Sequence, residues 1–155
     1  MPNYRIRNAG KALEVYLYDS IGGGWDGGVS AKQFADDIKA AGHVDLISLR
    51  INSPGGNVFD GLSMFNILDR HPARIEVDVD GMALSIASII AMAGDEIRIA
   101  KNAMMMIHNP WGMAMGDSEE LRRQADLMDQ VKVGLVATYT GRTGRQTAAV
   151  SAMMD

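Results

Sequence analysis

The sequence has no cysteine among its 155 residues. That excludes a disulfide framework, a thiolate metal site and a cysteine nucleophile, and it is compatible with a reducing compartment. Excess positive charge is missing too. Fifteen Lys and Arg against 19 Asp and Glu give a formal net charge of -4, with no basic block to suit a nucleic-acid partner. The longest apolar run, Met82 to Ala93, falls short of the roughly 20 residues a membrane helix needs. Met1-Pro2-Asn3-Tyr4-Arg5 carries no signal-peptide core. No metal-ligand spacing, internal repeat, low-complexity tract or linker is found. What remains is a globular balance, 47% hydrophobic and 22% charged, at a length suited to one domain, residues 1–155. The expectation is a soluble, cytoplasmic protein without cofactor, metal, membrane or nucleic-acid partner.

The chain alternates strand and helix signals. Leu13 to Tyr18 has period two and predicts the first strand. Gly22 to Gly28 is a glycine-rich turn, read either as a mobile loop or as a plain connector. Ser30 with Gln33 fits a capping box, and Phe34, Ala35 and Ile38 share a helix face before Gly42 stops it. Val44 to Ile51 reads as a buried parallel strand. A second helix runs through Val58, Leu62, Phe65 and Leu68 to His71-Pro72, and Ile75 to Val79 is the next strand. Ile97 to Ile99 and Ala103 to Ile107 read as short strands. Asp117 with Glu120 caps the longest helix, about Ser118 to Tyr139, which Thr140-Gly141-Arg142-Thr143-Gly144 breaks. Its stripe of Leu121, Ala125, Met128, Val131 and Leu135 suits either an ordinary core or a helix from another subunit. Gln146 to Met153 predicts one more short helix.

Three stretches carry chemistry. In Asp80-Gly81-Met82-Ala83-Leu84-Ser85-Ile86-Ala87-Ser88, a serine stands where a strand hands over to a helix. The widespread elbow G-x-S-x-G has glycines where this chain has Ala83 and Ala87, and free N–H groups at the helix start could receive an oxyanion. Ser85 also reads as a small residue that lets a buried helix pack. Asn52-Ser53-Pro54-Gly55-Gly56-Asn57 is either a Pro-Gly turn or a backbone surface of outward N–H donors, which would complete an oxyanion hole with the N–H of Ile86. His108, in His108-Asn109-Pro110-Trp111-Gly112, follows a buried strand. A parallel sheet ends its strands on one side, so Asn52, Ser85 and His108 would gather at one edge. His43 and His71 read as structural. Met82, Met113 and Met115 hint at an apolar specificity pocket, or at core filling.

Taken together, Ile51-Asn52-Ser53-Pro54-Gly55-Gly56, Gly81-x-Ala83-x-Ser85 and Met106-Ile107-His108-Asn109-Pro110 resemble, in order and spacing, the Clp-type serine peptidases, ClpP-like proteins, in their phage and prophage head-maturation branch. The resemblance implies an α/β fold of the ClpP/crotonase type, with repeated β-β-α units, a mostly parallel sheet and a long protruding handle-type helix. It implies Ser85 as nucleophile, His108 as general base and Asp155 as acid, since Thr143-Gly144 and Met153-Met154-Asp155 match the family's segment beyond the long helix. Gly56 and Ile86 would give the oxyanion N–H groups, with Gly55 shaping the loop.

In such a set the imidazole takes the serine proton and later protonates the leaving amine. The carboxylate fixes its tautomer, and each backbone donor is worth about 3 kcal/mol at the tetrahedral intermediate. The resemblance also implies stacked homo-oligomeric rings and a protein or peptide substrate, in this branch a phage capsid or scaffold protein. The short segment before the first strand argues against an ATPase-docking loop and an ATPase partner. Family members continue past the acid into a helix and strand, which residues 1–155 lack. The alternatives are a catalytically silent ring component and a crotonase-like acyl-CoA binder, against which the serine elbow and the His108 motif speak.

Overall fold

The computed structural model describes residues 4–23 and 27–155. Gly24, Trp25 and Asp26 of the expected glycine-rich loop lie outside the described residues. The chain divides into two compact units, Met1–Met106 and Ile107–Asp155.

The first unit is a sheet with helices. Strands β1 (Tyr4–Ala9), β2 (Ala12–Leu17), β3 (Leu46–Ser53), β4 (Arg74–Leu84) and β5 (Glu96–Ile99) lie in that order, and β6 (Met104–Met106) also pairs with β4. Among the described residues only β1 against β2 is antiparallel, and the other strand pairings are parallel. Helices α1 (Ala31–Ala40), α2 (Val58–Asp69) and α3 (Ile86–Ala91) supply the crossovers, with α3 on β3 and β4, α2 on α3, and α1 on α2. Alternation in β2, β3 and β4 sends Leu13, Val15, Leu17, Ile47, Leu49, Ile51, Ile75, Val77 and Val79 into the core, where Phe34, Met64, Leu68, Ile89 and Ile90 are also buried. Each such burial contributes about 1.5–3 kcal/mol.

β3 is therefore half-buried, not buried on both faces as its composition suggests, because Ser48 and Arg50 alternate with the core residues. The polar face carries an ion-pair network. Arg98 reaches Asp78 at 2.7 Å, Glu96 at 2.8 Å and Glu76 at 3.0 Å. Arg50 grips both oxygens of Asp80, which also accepts from the Tyr18 hydroxyl.

Local chemistry sets the helix starts. Ser30 Oγ accepts from Gln33 N–H at 3.2 Å, and Asn57 Oδ1 from Phe59 and Asp60 N–H at 3.0 and 3.1 Å. Two strands depart from expectation. β1 precedes the expected first strand, turning into β2 through Gly10 at φ 74°. β4 continues five residues beyond Val79: Ile51 faces Val79 but Ser53 faces Ala83, so β4 bulges over Asp80-Gly81-Met82. There it exchanges β5 for β6 as its neighbour. Asn52 thus lies inside β3 rather than after it.

The second unit holds α4 (Ser118–Thr143) and α5 (Thr147–Met154). α4 begins with a full capping box between Asp117 and Glu120 and runs past Tyr139, ending at Gly144 with φ 68°. Leu135, Val136 and Tyr139 are buried with Val150 and Met154, whereas Leu121 and Leu127 in its first half are exposed. Among the described residues no helix is long and apolar enough to cross a membrane, and no group of three or more His, Asp or Glu could hold a metal ion.

Candidate functional site

In the first unit, Ser85 sits at the single-residue junction of β4 and α3. Its backbone has φ 54° and ψ -130°, the sole non-glycine positive φ among the described residues. Such a conformation costs about 1–3 kcal/mol and persists only where surrounding structure enforces it. Here both sides are held. The Ser85 N–H donates to Met106 carbonyl at 2.9 Å, and the Ser85 carbonyl accepts from Ser88 N–H at 3.0 Å. The six residues of α3 are all buried, so the helix cannot swing to relax the turn.

The Ser53–Asn57 loop is clamped against this elbow. Gly55 has φ 91°, and a Cβ there would stand 2.6 Å from Leu84 O, 2.7 Å from Ser85 Cβ and 3.3 Å from Ile86 N. Gly56 has φ 145°, and a Cβ there would stand 2.1 Å from Ile21 O. Only glycine fits either place. Ile21 N–H donates to Gly55 carbonyl and Asn57 N–H to Ile21 carbonyl, each at 2.8 Å. The Gly56 N–H takes part in neither bond, and in a parallel bridge it points away from Ile21. Ile86 is the first residue of α3, whose N–H an α-helix leaves without an internal acceptor. Gly55, Gly56, Ser85 and Ile86 are thus brought together in one unit, with Gly55 against Ser85.

The second unit brings His108, Asn109 and Asp155 onto neighbouring stretches. Asn109, next after His108, donates its N–H to Met154 carbonyl at 2.9 Å and its Nδ2 to Asp155 Oδ1 at 2.7 Å. Lys132 Nζ reaches the same Oδ1 at 3.1 Å. The Asn109 amide, then Lys132, hold the Asp155 carboxyl below the usual carboxylate range. Asn109 was visible to sequence reasoning only as a neighbour of the histidine. Lys132 was missed, because nothing in a charged helix position marks it. Met113 and Met115 are 97% and 98% exposed, so the pocket wall hinted at for them is not formed within this unit.

A mostly parallel sheet whose strand β4 ends in a strained serine at a helix start has the local geometry of a strand-to-helix elbow. Residues 34–155 match the model of the Clp protease family, and the chain belongs to that family. Over 111 residues it is 32% identical to the ATP-dependent Clp protease proteolytic subunit 1 of Prochlorococcus marinus subsp. pastoris, covering 70% of this chain and 57% of that protein. Over 101 residues it is 34% identical to the protein of the same name from Synechococcus sp., covering 64% and 51%. The chain thus spans little more than half the length of these relatives. Its fold is that of a ClpP1 variant from Listeria monocytogenes, with TM-score 0.78 over 94% of this chain and 79% of that one, at 19% identity.

Proposed function

We propose that the chain is a serine endopeptidase acting through Ser85, His108 and Asp155. The observation that carries the reading is the Ser85 backbone, held at φ 54° and ψ -130° between a strand and a buried helix with Gly55 packed against it. Non-glycine residues held in strained backbone cluster at functional sites, and a sharp, strained strand-to-helix turn is the conformation an elbow serine needs. In this reading His108 takes the proton from Ser85 as Oγ attacks the scissile carbonyl, and the N–H groups of Gly56 and Ile86 receive the oxyanion. The imidazolium then protonates the leaving amine, and water, deprotonated by His108, hydrolyses the acyl-enzyme. Asp155 holds the imidazole tautomer and stabilises its charged form. Support for that role is local: Asp155 is tied to Asn109, the residue after His108.

Fluorophosphonate labelling followed by intact mass tests the proposal, since Ser85 Oγ would bond to phosphorus as fluoride leaves. One adduct on Ser85, absent from Ser85→Ala and slowed in His108→Ala and Asp155→Asn, is the expected result. No adduct on folded protein would make the chain a silent family member. The substrate class we propose is a phage capsid or scaffold protein trimmed during head assembly, which rests on the motif resemblance; co-expression with such a protein and mapping of its cleavage tests it. Assembly into homo-oligomeric rings is part of the same proposal. Its support is the exposed Leu121 and Leu127 of α4, and sedimentation of the purified chain tests it.

A further inference from the structure

We propose that Asn109 and Lys132 are positioning residues for the acid: they clamp Oδ1 of Asp155, so that Oδ2 is the oxygen offered to the His108 imidazole. The inference rests on the triad reading above and adds to it which groups orient the carboxylate. Asp155 is an exposed side chain, 63% accessible, at the end of a short helix, and such a carboxylate samples several rotamers unless donors hold it. Two donors do, and both choose the same oxygen: Asn109 Nδ2 at 2.7 Å and Lys132 Nζ at 3.1 Å. Neither engages Oδ2.

The Asn109 clamp has two points. Its backbone N–H bonds the Met154 carbonyl at 2.9 Å while its side chain bonds Asp155, so the segment that carries His108 is fastened to the end of α5. The amide orientation has a cost. Asn109 Oδ1 is buried with no hydrogen-bond partner among the described residues. Turning the amide over would aim that oxygen at the carboxylate, so donation to Asp155 dictates the observed orientation. Lys132 contributes differently. It is the more buried partner of its pair, 30% accessible, and its positive charge opposes the field of Asp155 at any neighbouring imidazole.

The two roles make separable predictions for the pH profile of the fluorophosphonate labelling rate. Asn109→Asp keeps the shape, removes the donor and sets a like charge against Asp155; labelling should slow about 10- to 100-fold, the scale of a misplaced catalytic group. Lys132→Met should slow labelling less and move the acid limb upward by a few tenths of a pH unit, because His108 then feels the full carboxylate charge. Lys132→Arg, which keeps donor and charge, should restore both rate and limb. A merely structural contact would not move the acid limb or be rescued in this way.

Wild-type rates and an unchanged limb in Asn109→Asp and Lys132→Met, alongside a slow Asp155→Asn, would overturn the positioning role and leave the triad standing. A wild-type rate in Asp155→Asn would overturn the triad reading and this inference with it. If Asn109→Asp fails to fold by circular dichroism, the Lys132 pair decides: an unmoved limb in Lys132→Met, or no rescue by Lys132→Arg, refutes the proposal.

Discussion

Replacing Ser85 by glycine should make the protein more stable than replacing it by alanine, against the usual order of these residues. Both substitutions remove the hydroxyl and whatever it bonds, so that loss cancels in the comparison. What differs is the backbone. Ser85 holds φ 54° and ψ -130°, where a Cβ costs about 1–3 kcal/mol and glycine nothing. Glycine's greater freedom in the unfolded chain costs about 0.5–1 kcal/mol in return. The balance favours Ser85→Gly over Ser85→Ala by about 1 kcal/mol, or about 2–4 °C in Tm for a chain of this size. Urea titration of the two variants, comparing midpoints at equal m, measures it. If Ser85→Ala were the more stable by half a kilocalorie or more, the junction would be relaxed. The claim that the fold forces the elbow would then be wrong.

Gly55→Ala should destabilise by about 2–4 kcal/mol, because a Cβ at φ 91° would lie 2.6 Å from Leu84 O and neither backbone can withdraw. Residual folded protein should label poorly at Ser85; undiminished labelling and stability would show that the loop does not press on the elbow. Gly61→Ala places a Cβ 2.2 Å from Cγ1 and 3.2 Å from Cβ of the buried, β-branched Ile86, which a rotamer change cannot clear, so it should destabilise by about 1–3 kcal/mol, and an unchanged Tm in thermal melts would refute that close approach. Burial and then His43 lower the pKa of His71 below 6.5, and His71 Nδ1 accepts the Ala73 N–H at 3.1 Å. The unfolded chain therefore takes a proton at higher pH than the native one, and stability should fall as pH drops below 6.5, then level off beneath the lowered native pKa. Tm measured from pH 7 to 5 should show this fall in the parent and a shallower one in His71→Asn; parallel curves would refute it.

The elements that sequence reasoning found are those whose pattern and burial agree. β2, β3, α1, α2 and the start of β4 each put an apolar periodicity against a core, and the cap residues Ser30 and Asp117 mark the starts of α1 and α4. The misses share a cause: the stabilising partner lies elsewhere in the chain. β1 buries almost nothing and exists because β2 offers it an antiparallel edge, aided by Arg5 stacked 3.9 Å from the Tyr16 ring centroid. Gly81 looks like the end of a strand, yet it is a bulge that lets the Asn52 side chain approach within 2.5 Å of where a Cβ would stand. Thr140-Gly141 looks like a helix break. The helix passes through it because its last turns bury Val136 and Tyr139 in company with Val150 and Met154 of α5, and Gly144 supplies the left-handed cap.

The candidate site divides in the same way. Ser85, Gly55, Gly56 and Ile86 were legible because the roles they suit require particular residue types: a small hydroxyl at a strand-to-helix junction, and glycine where φ is positive or backbones nearly touch. Asp155 was legible only through resemblance, since a single aspartate after a short helix has no pattern of its own. Lys132 was not legible at all. It lies 23 residues from Asp155 and meets it only because α4 and α5 pack together, so its meaning is a property of the pair and not of either position. The strain at Ser85 is likewise invisible in composition: serine is an ordinary helix N-cap, and an ordinary cap has extended backbone and a side-chain bond to the helix start, as Ser30 has. Ser85 has neither that backbone nor that bond. The same residue type thus stands at two helix starts for two reasons. At Ser30 the hydroxyl serves the helix, whereas at Ser85 the backbone gives up the cap and the helix starts without a side-chain bond.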